Sequence, residues 1–283
     1  MTQLQTQWLT LADGHRMPQE GFGVYKLTDQ ASMTTAIKSA YQTGYRLFDT
    51  AQLYENEALL GVALKELAVP RDNYFVTTKV AEQNQGYQTT IQSVKESLRR
   101  LQLDYVDLLL VHWPMQAHFF ATWQALEDLQ AQGLTKSIGV SNFGIVHLQL
   151  LATQAHQRPV VNQVERHPGL NQAALIKYHQ AHGIVTQAWS PLARGKYLQD
   201  PVLTKIAAAH QKSVAQVILK WHLQGGVAII PKSAHPQRIA ENAALTDFTL
   251  SAAEMAQIDA LNRFARDGRE PELVYENNVQ YPR

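Results

Sequence analysis

The chain has 283 residues, enough to bury one sizeable core, and an α/β barrel of about 250 residues is a usual single domain. Lysine and arginine total 25 against 24 acidic residues, so no global field points to nucleic acid or an anionic membrane as a partner, and any anion site has to be local. No cysteine occurs, which excludes a disulfide framework, a thiolate nucleophile and thiolate zinc sites, and fits a reducing cytoplasm.

Met1 to Thr10 has no charged region followed by a long apolar run, and no window approaches about 18 uninterrupted apolar residues, so the chain reads as soluble and unprocessed. Leu9–Met17 carries an Asp13-Gly14 turn signal and reads as a hairpin able to plug one end of a barrel. Short apolar and β-branched runs then alternate with stretches of helical period. The strands are expected at Gly21–Tyr25, Tyr45–Asp49, Tyr74–Lys79, Val106–His112, Ser137–Val140, Val160–Gln163, Ile184–Trp189 and Val227–Ile230. Helices are expected at Asp29–Thr43, Asn56–Leu67, Tyr87–Leu101, Phe119–Gln132, Asn171–His182 and Ser213–Leu223. Thr89-x-x-Gln92 and Ser251-x-x-Glu254 suit helix starts, and Gly44, Gly133 and Gly183 suit helix stops. Eight strands with crossover helices close into a (β/α)8 barrel. Neither a repeat nor a linker marks a boundary, so residues 1–283 read as one domain. The tail after Asn262 reads as irregular and suited to lying over a barrel mouth, with Arg266 and Arg269 solvated rather than meeting an acidic substrate.

In such barrels the chemistry sits where strands end at their C-terminal side. Here those ends are polar: Asp49, Lys79, His112, then Ser141 and Asn142, Gln163, and Trp189 with Ser190. Singly, each has an ordinary explanation as a cap, a rim lysine or a backbone partner. Together, and with Tyr54 just beyond the second strand, they suit reduction of a carbonyl, which needs a proton donor and groups that stabilise a developing alkoxide. A free tyrosine, of pKa about 10, is a reluctant acid. The ammonium of Lys79 is expected to lower that pKa, Asp49 to keep the ammonium charged, and His112 to orient the substrate oxygen.

The stretch Gly44-Tyr-Arg-Leu-Phe-Asp-Thr-Ala-Gln-Leu-Tyr-Glu-Asn-Glu57 resembles the first signature of the aldo-keto reductase family, whose catalytic aspartate and tyrosine correspond to Asp49 and Tyr54. Thr77-Thr-Lys79 and Leu110-Val-His-Trp-Pro114 resemble the strands bearing the family's lysine and histidine, Lys79 and His112. The resemblance continues through Gly139-Val-Ser-Asn-Phe143 and Asn162-Gln163, which implies Ser141, Asn142 and Gln163 on a nicotinamide amide. Trp189-Ser-Pro-Leu192 resembles the segment whose aromatic residue, often tyrosine, stacks on the nicotinamide ring; Ser190 and Leu192 are implied cofactor contacts. Ile229 to Asn242 resembles the family's dinucleotide signature, implying Lys232, Ser233 and Arg238 on an adenosine 2′-phosphate and Glu241 and Asn242 near the adenine. An arginine fork and a helix N-terminus suit a phosphate, which favours NADPH over NADH, and no Rossmann G-x-G-x-x-G is present. Tyr25, Trp113 and Phe120 stand where the family builds pocket walls. The short segment Met115–Thr122 and short tail resemble bacterial members similar to 2,5-diketo-D-gluconate reductase, which implies an open pocket, a small carbonyl substrate and a monomer.

Two other readings compete. A lysine at a strand end is the right nucleophile for a Schiff-base aldolase, but such an enzyme has no use for the Ile229–Asn242 segment. Some barrels of this family sense cofactor without turnover, and the intact tetrad argues against that. A zinc-dependent dehydrogenase is excluded by the missing cysteines and by the lack, in sequence, of a histidine-carboxylate cluster at ligand spacing.

Overall fold

The computed structural model describes Leu4 and residues 7–277. The outermost parts of the expected domain and of the Met1–Thr10 reading, residues 1–3, 5, 6 and 278–283, lie outside the described residues. Two short strands, β1 (Trp8–Thr10) and β2 (Arg16–Pro18), form an antiparallel hairpin. Eight parallel strands follow: β3 (Gly21–Gly23), β4 (Leu47–Asp49), β5 (Phe75–Val80), β6 (Val106–Val111), β7 (Thr135–Ser141), β8 (Val161–Glu165), β9 (Val185–Trp189) and β10 (Ala228–Ile229), hydrogen-bonded in chain order. The ring closes between β10 and β3 through Ile229 N–H to Gln19 O at 2.9 Å and Gly23 N–H to Pro231 O at 3.1 Å.

The crossover elements are α1 (Gln30–Thr43), α2 (Glu57–Glu66), α3 (Tyr87–Leu101), α4 (Phe119–Ala131), α5 (Ile145–Leu151), α6 (Ala173–Ala181), α7 (Pro201–His210) and α8 (Val214–Gln224). Beyond the barrel strands come α9 (Pro236–Ala243), α10 (Ala252–Asp259) and α11 (Pro271–Asn277). All eight expected barrel strands are present, shifted by one or two residues at their ends. Four helices went unread: α5, α7, α9 and α11. Three of them, α7, α9 and α11, begin with a proline, and α7 also has Asp200 accepting from the Val202 and Leu203 amides, so these start signals were in the sequence. Ser251 and Glu254 form the expected capping box of α10. Thr89 does not start a helix. α3 begins two residues earlier, after Gly86 at φ 110°, and the Thr89 hydroxyl donates back to Gln85 O. Gly44 ends α1 at φ 116°, a backbone shape that an added Cβ would resist.

Strand side chains alternate between the helices outside and the barrel axis inside, and the two sets form separate cores. Leu47, Phe75, Leu108, Leu110 and Val161 point inward and are sealed from below by Leu11 and Met17 of the hairpin region, as the sequence suggested. Phe48, Val76, Leu109 and Val140 point outward against the helices. Continuing the inner columns by twos gives Leu47 then Asp49, Phe75 then Thr77 then Lys79, Leu108 then Leu110 then His112, and Val161 then Gln163. The barrel is therefore apolar below and polar in its top layer.

One buried polar group lies at the other end. Glu20, just before β3, is 4% exposed, and its Oε2 has no hydrogen-bond partner. Burial pushes its carboxyl up to about 8, with Lys220 only partly opposing. The folded chain thus keeps a proton that the unfolded chain has released above its usual value of 4.5, and stability falls as pH rises from there towards 8. Glu20→Gln, a mimic of the protonated acid, is expected to remove this loss. Urea midpoints at pH 5 and pH 8 test it: an unchanged pH slope in the variant would rule the carboxyl out as the cause.

Candidate active site

The top layer converges on one ammonium. Lys79 Nζ has no exposed surface and donates to Asp49 Oδ1 at 2.5 Å, Thr50 O at 2.9 Å and the Tyr54 hydroxyl at 3.3 Å. Asp49 Oδ2 accepts from Gln163 Nε2 at 2.7 Å, and that same nitrogen also donates to Gln187 Oε1 at 2.8 Å. The Tyr54 ring lies 4.9 Å from Tyr25 and edge-on to His112 at 5.8 Å. Asp49, Tyr54, Lys79 and His112 are thus brought together, with the ring of Tyr25 against that of Tyr54.

Tyr54 is delivered by a single 3-10 turn, Gln52–Tyr54, rather than by a strand. Gln52 anchors the turn, accepting from Ala81 N–H at 3.0 Å and Asn84 Nδ2 at 2.9 Å. Asn56 ties the same loop to β3's exit, donating to Val24 O and Leu27 O while accepting from the Thr50 hydroxyl. Asn56 stands inside the stretch recognised from sequence, but its function as a brace is visible only in three dimensions.

The electrostatics correct one expectation. Burial raises the Tyr54 pKa well above its usual 10, and the Asp49 carboxylate and Tyr25 add to the shift; the ammonium does not reverse it. Tyr54 is held as a neutral phenol. Burial also raises Asp49 and lowers Lys79, each opposed by the other's charge. His112 is kept well below its usual range by burial and by the positive charges of Lys79 and Arg269, so it is a neutral imidazole.

On the far side of the mouth, Ser141 donates to Gln163 O at 2.8 Å, and Asn142 Nδ2 donates to His112 O at 2.9 Å. The indole N–H of Trp189 donates to Asn142 Oδ1 at 2.8 Å, a bond that fixes the half-buried ring beside the tetrad. Ser190 and Leu192 follow in a turn where Ser190, Ala193 and Arg194 all adopt positive φ. Farther round, Lys232 is exposed and close enough to Lys26 for that charge, after burial, to lower its pKa. Ser233 accepts from His235 N–H, and Arg238 lies exposed on the first turn of α9, with Glu241 exposed and Asn242 buried at its end. Lys26, unread in the sequence, joins Lys232 and Arg238 as cations with no carboxylate in ion-pairing range among the described residues. A cluster of cations without acids is what a phosphate monoester needs.

The tail does lie over the mouth, but neither of its arginines is solvated in the way expected. Arg269 pairs with the fully buried carboxylate of Glu82 and stacks on Trp113, its carbon 4.3 Å from the ring centre. Arg266 pairs with Glu270 at 3.1 Å and lies 3.7 Å from Glu165. The Glu165 carboxylate, wholly buried at the end of β8, accepts from Asp267 N–H at 2.6 Å and Gly268 N–H at 3.0 Å. Trp113 also packs with Met115 and Val274, so it lines the mouth under the tail. Phe120 packs at the start of α4 against Phe119 and the outer core instead of joining the Tyr54 rings. Glu165, His167 and Asp267 bring their ligand-type atoms within 4.8 Å of one another, a cluster invisible to sequence spacing. Its charge is already met by Lys196 on Asp267, by Arg266 and by the two amides, so it functions as a clamp on the tail.

The chain's residues 21–263 match the model of the aldo/keto reductase family. It is 48% identical over 266 residues to a glyoxal reductase of Bacillus subtilis (strain 168), covering 94% of this chain and 96% of that protein. It is 41% identical to the methylglyoxal reductase DkgA of Escherichia coli (strain K12), covering 93% and 96% respectively. The crystal structure of a Bombyx mori aldo-keto reductase in complex with NADP superposes with a TM-score of 0.89 at 32% identity, over 96% of this chain and 97% of that one.

The clamp is open to test. Glu165→Ala removes the acceptor of two tail amides and is expected to expose Arg263, Arg266 and Arg269 to trypsin while the barrel stays resistant. Cleavage in that stretch no faster than in the wild type would show that Glu165 does not hold the tail.

Proposed function

The chain belongs to the aldo/keto reductase family, and on that premise we propose that it reduces small aldehydes, ketones and above all dicarbonyls with NADPH, using Tyr54 as proton donor. The observation that carries this reading is the phenol of Tyr54, kept protonated by burial and held between the Lys79 ammonium and the neutral ring of His112. A group that keeps its proton at neutral pH is suited to giving it to an alkoxide, which is far more basic than a phenolate.

The residues present fit the dinucleotide. Its phosphorylated adenosine end suits the hydroxyl of Ser233 and the side chains of Lys26, Lys232 and Arg238, three cations with no carboxylate in ion-pairing range among the described residues. Its ring end suits Trp189 as a shelf and Ser141, Asn142 and Gln163 as polar partners, with Glu241 and Asn242 for the adenine and Ser190 and Leu192 between the two ends. When bound, NADPH supplies the hydride.

The protein's own part is electrostatic. A substrate oxygen within reach of Tyr54 Oη and His112 meets two neutral hydrogen-bonding groups beside a buried ammonium, an arrangement that favours negative charge on that oxygen. As the carbon–oxygen double bond becomes a single bond, the Tyr54 proton passes to the oxygen. The phenolate left behind faces Lys79, whose charge stabilises it until a proton returns. Tyr25, against Tyr54, and Trp113, under the tail, are the aromatic walls this reading assigns to the substrate, and the glyoxal and methylglyoxal reductases among its relatives support a dicarbonyl substrate.

Tyr54→Phe is expected to lower kcat/KM for methylglyoxal by at least about 100-fold, the usual worth of a positioned acid, while NADPH affinity stays near wild type. Turnover retained in that variant would overturn the proton-donor assignment. Arg238→Ala is expected to weaken NADPH by about 10- to 100-fold, the range for a charged hydrogen bond, with NADH unaffected. Equal losses for the two cofactors, measured by titration, would mean that Arg238 does not meet the 2′-phosphate.

A further inference from the structure

Arg166, immediately after β8, is 4% exposed, yet no carboxylate lies in ion-pairing range of it among the described residues. Its guanidinium carbon sits 3.6 Å from the ring centre of Trp221 on α8, and its Nε donates to Asn171 O at 3.1 Å. One terminal nitrogen lies 2.6 Å from Nδ1 of His222, which is wholly buried on the same helix. A guanidinium can only donate, so Nδ1 is the acceptor and the ring proton sits on Nε2. That N–H faces Pro191 O at 3.3 Å. Burial and the adjacent guanidinium hold His222 neutral, and burial draws Arg166 down to about 9.

A buried cation with no carboxylate in contact, its charge opposed only at longer range by Asp259, is expensive, so what it secures needs an explanation. Here it fixes one tautomer of one histidine, whose single N–H is aimed at the carbonyl between Ser190 and Leu192. The turn it grips is strained: Ser190, Ala193 and Arg194 have φ of 49°, 46° and 52°. Strained backbone persists only where its surroundings over-determine it. We propose that the Arg166–His222 pair is a positioning device for the cofactor, holding the Ser190–Leu192 turn in the shape that receives the stretch of dinucleotide joining the nicotinamide to the adenosine end. The proposal rests on the reading of Ser190 and Leu192 as cofactor contacts.

The test separates the two ends of the ligand. NADPH and adenosine 2′,5′-bisphosphate, which carries only the adenosine end, are titrated against protein fluorescence in wild type, His222→Leu and His222→Gln. Loss of the Pro191 bond in His222→Leu is expected to weaken NADPH about tenfold, as for one buried hydrogen bond, and to leave the bisphosphate unchanged. The glutamine amide, able to donate to Pro191 O, should recover most of the affinity, and kcat at saturating NADPH should change little. Unchanged NADPH binding in a folded His222→Leu protein, equal weakening of both ligands, or a glutamine variant no better than leucine each overturns the proposal. If His222→Leu does not fold, Arg166→Lys, which keeps the charge but loses the planar fork, gives the same readout: selective weakening of NADPH supports the proposal and unchanged binding overturns it. Wild-type protein that gains nothing from the nicotinamide half overturns the underlying cofactor reading and the proposal with it; variants that match a wild type showing that gain overturn the proposal alone.

Discussion

An ammonium group with no exposed surface stands at the centre of the barrel's top layer, and its charge has to be answered there. Lys79 cannot be left without partners in that environment, so β4 has to end at Asp49 in register with β5, and the backbone has to turn at Thr50 with its carbonyl facing in. Both conditions also fix the path of the chain into Tyr54. The second carboxylate oxygen of Asp49 is engaged as well, by Gln163 from the opposite side of the ring, and through Gln163 by Gln187. One buried cation therefore imposes order on four strands. Removing either partner would leave a lone charge in the interior, which is why the pair reads as a constraint on geometry more than as a source of stability.

The sequence disclosed much of this because a barrel strand has only two faces. Once Leu47, Phe75, Leu108 and Val161 are assigned inward, Asp49, Lys79, His112 and Gln163 follow by steps of two, and the position of chemistry at strand ends is legible without coordinates. What alternation cannot reveal is how deeply a group is buried. The expectation that Lys79 would lower the Tyr54 pKa weighed charge against charge and omitted desolvation, which in this site is the larger effect. The same limit applies to Arg266 and Arg269. In sequence they look like solvated surface residues; Arg269 finds Glu82 187 positions away, and only the local half of the Arg266 contacts, Glu270, was within reach of sequence spacing, Glu165 being far off in the chain. Thr89 failed for a local reason: Gly86 offered an earlier place to turn, and the threonine hydroxyl found its acceptor in Gln85 O just before the helix.

The two ends of the proposed dinucleotide site differ in how they are built. The ring end is a network of directional bonds, Trp189 to Asn142 to His112, in which each amide atom is committed. The adenosine end is a set of cations, with Lys26 arriving after β3, across the barrel's closing seam from Lys232. A near-neutral chain carries both because the charge is concentrated at one edge. Screening by salt is expected to reach the exposed adenosine end and to leave the buried network largely alone.

The tail clamp has a bearing on the order of assembly. Glu82 and Arg269 are separated by 187 positions, and Arg269 follows all eight barrel strands in the chain. A protein made from its N-terminus completes the ring of strands before the segment that covers the mouth has been synthesised. Until that segment arrives, Glu82 lacks Arg269 and Glu165 lacks the two tail amides that it accepts from. The last stretch of chain therefore finishes the molecule much as a keystone finishes an arch, by supplying what the rim has been left short of.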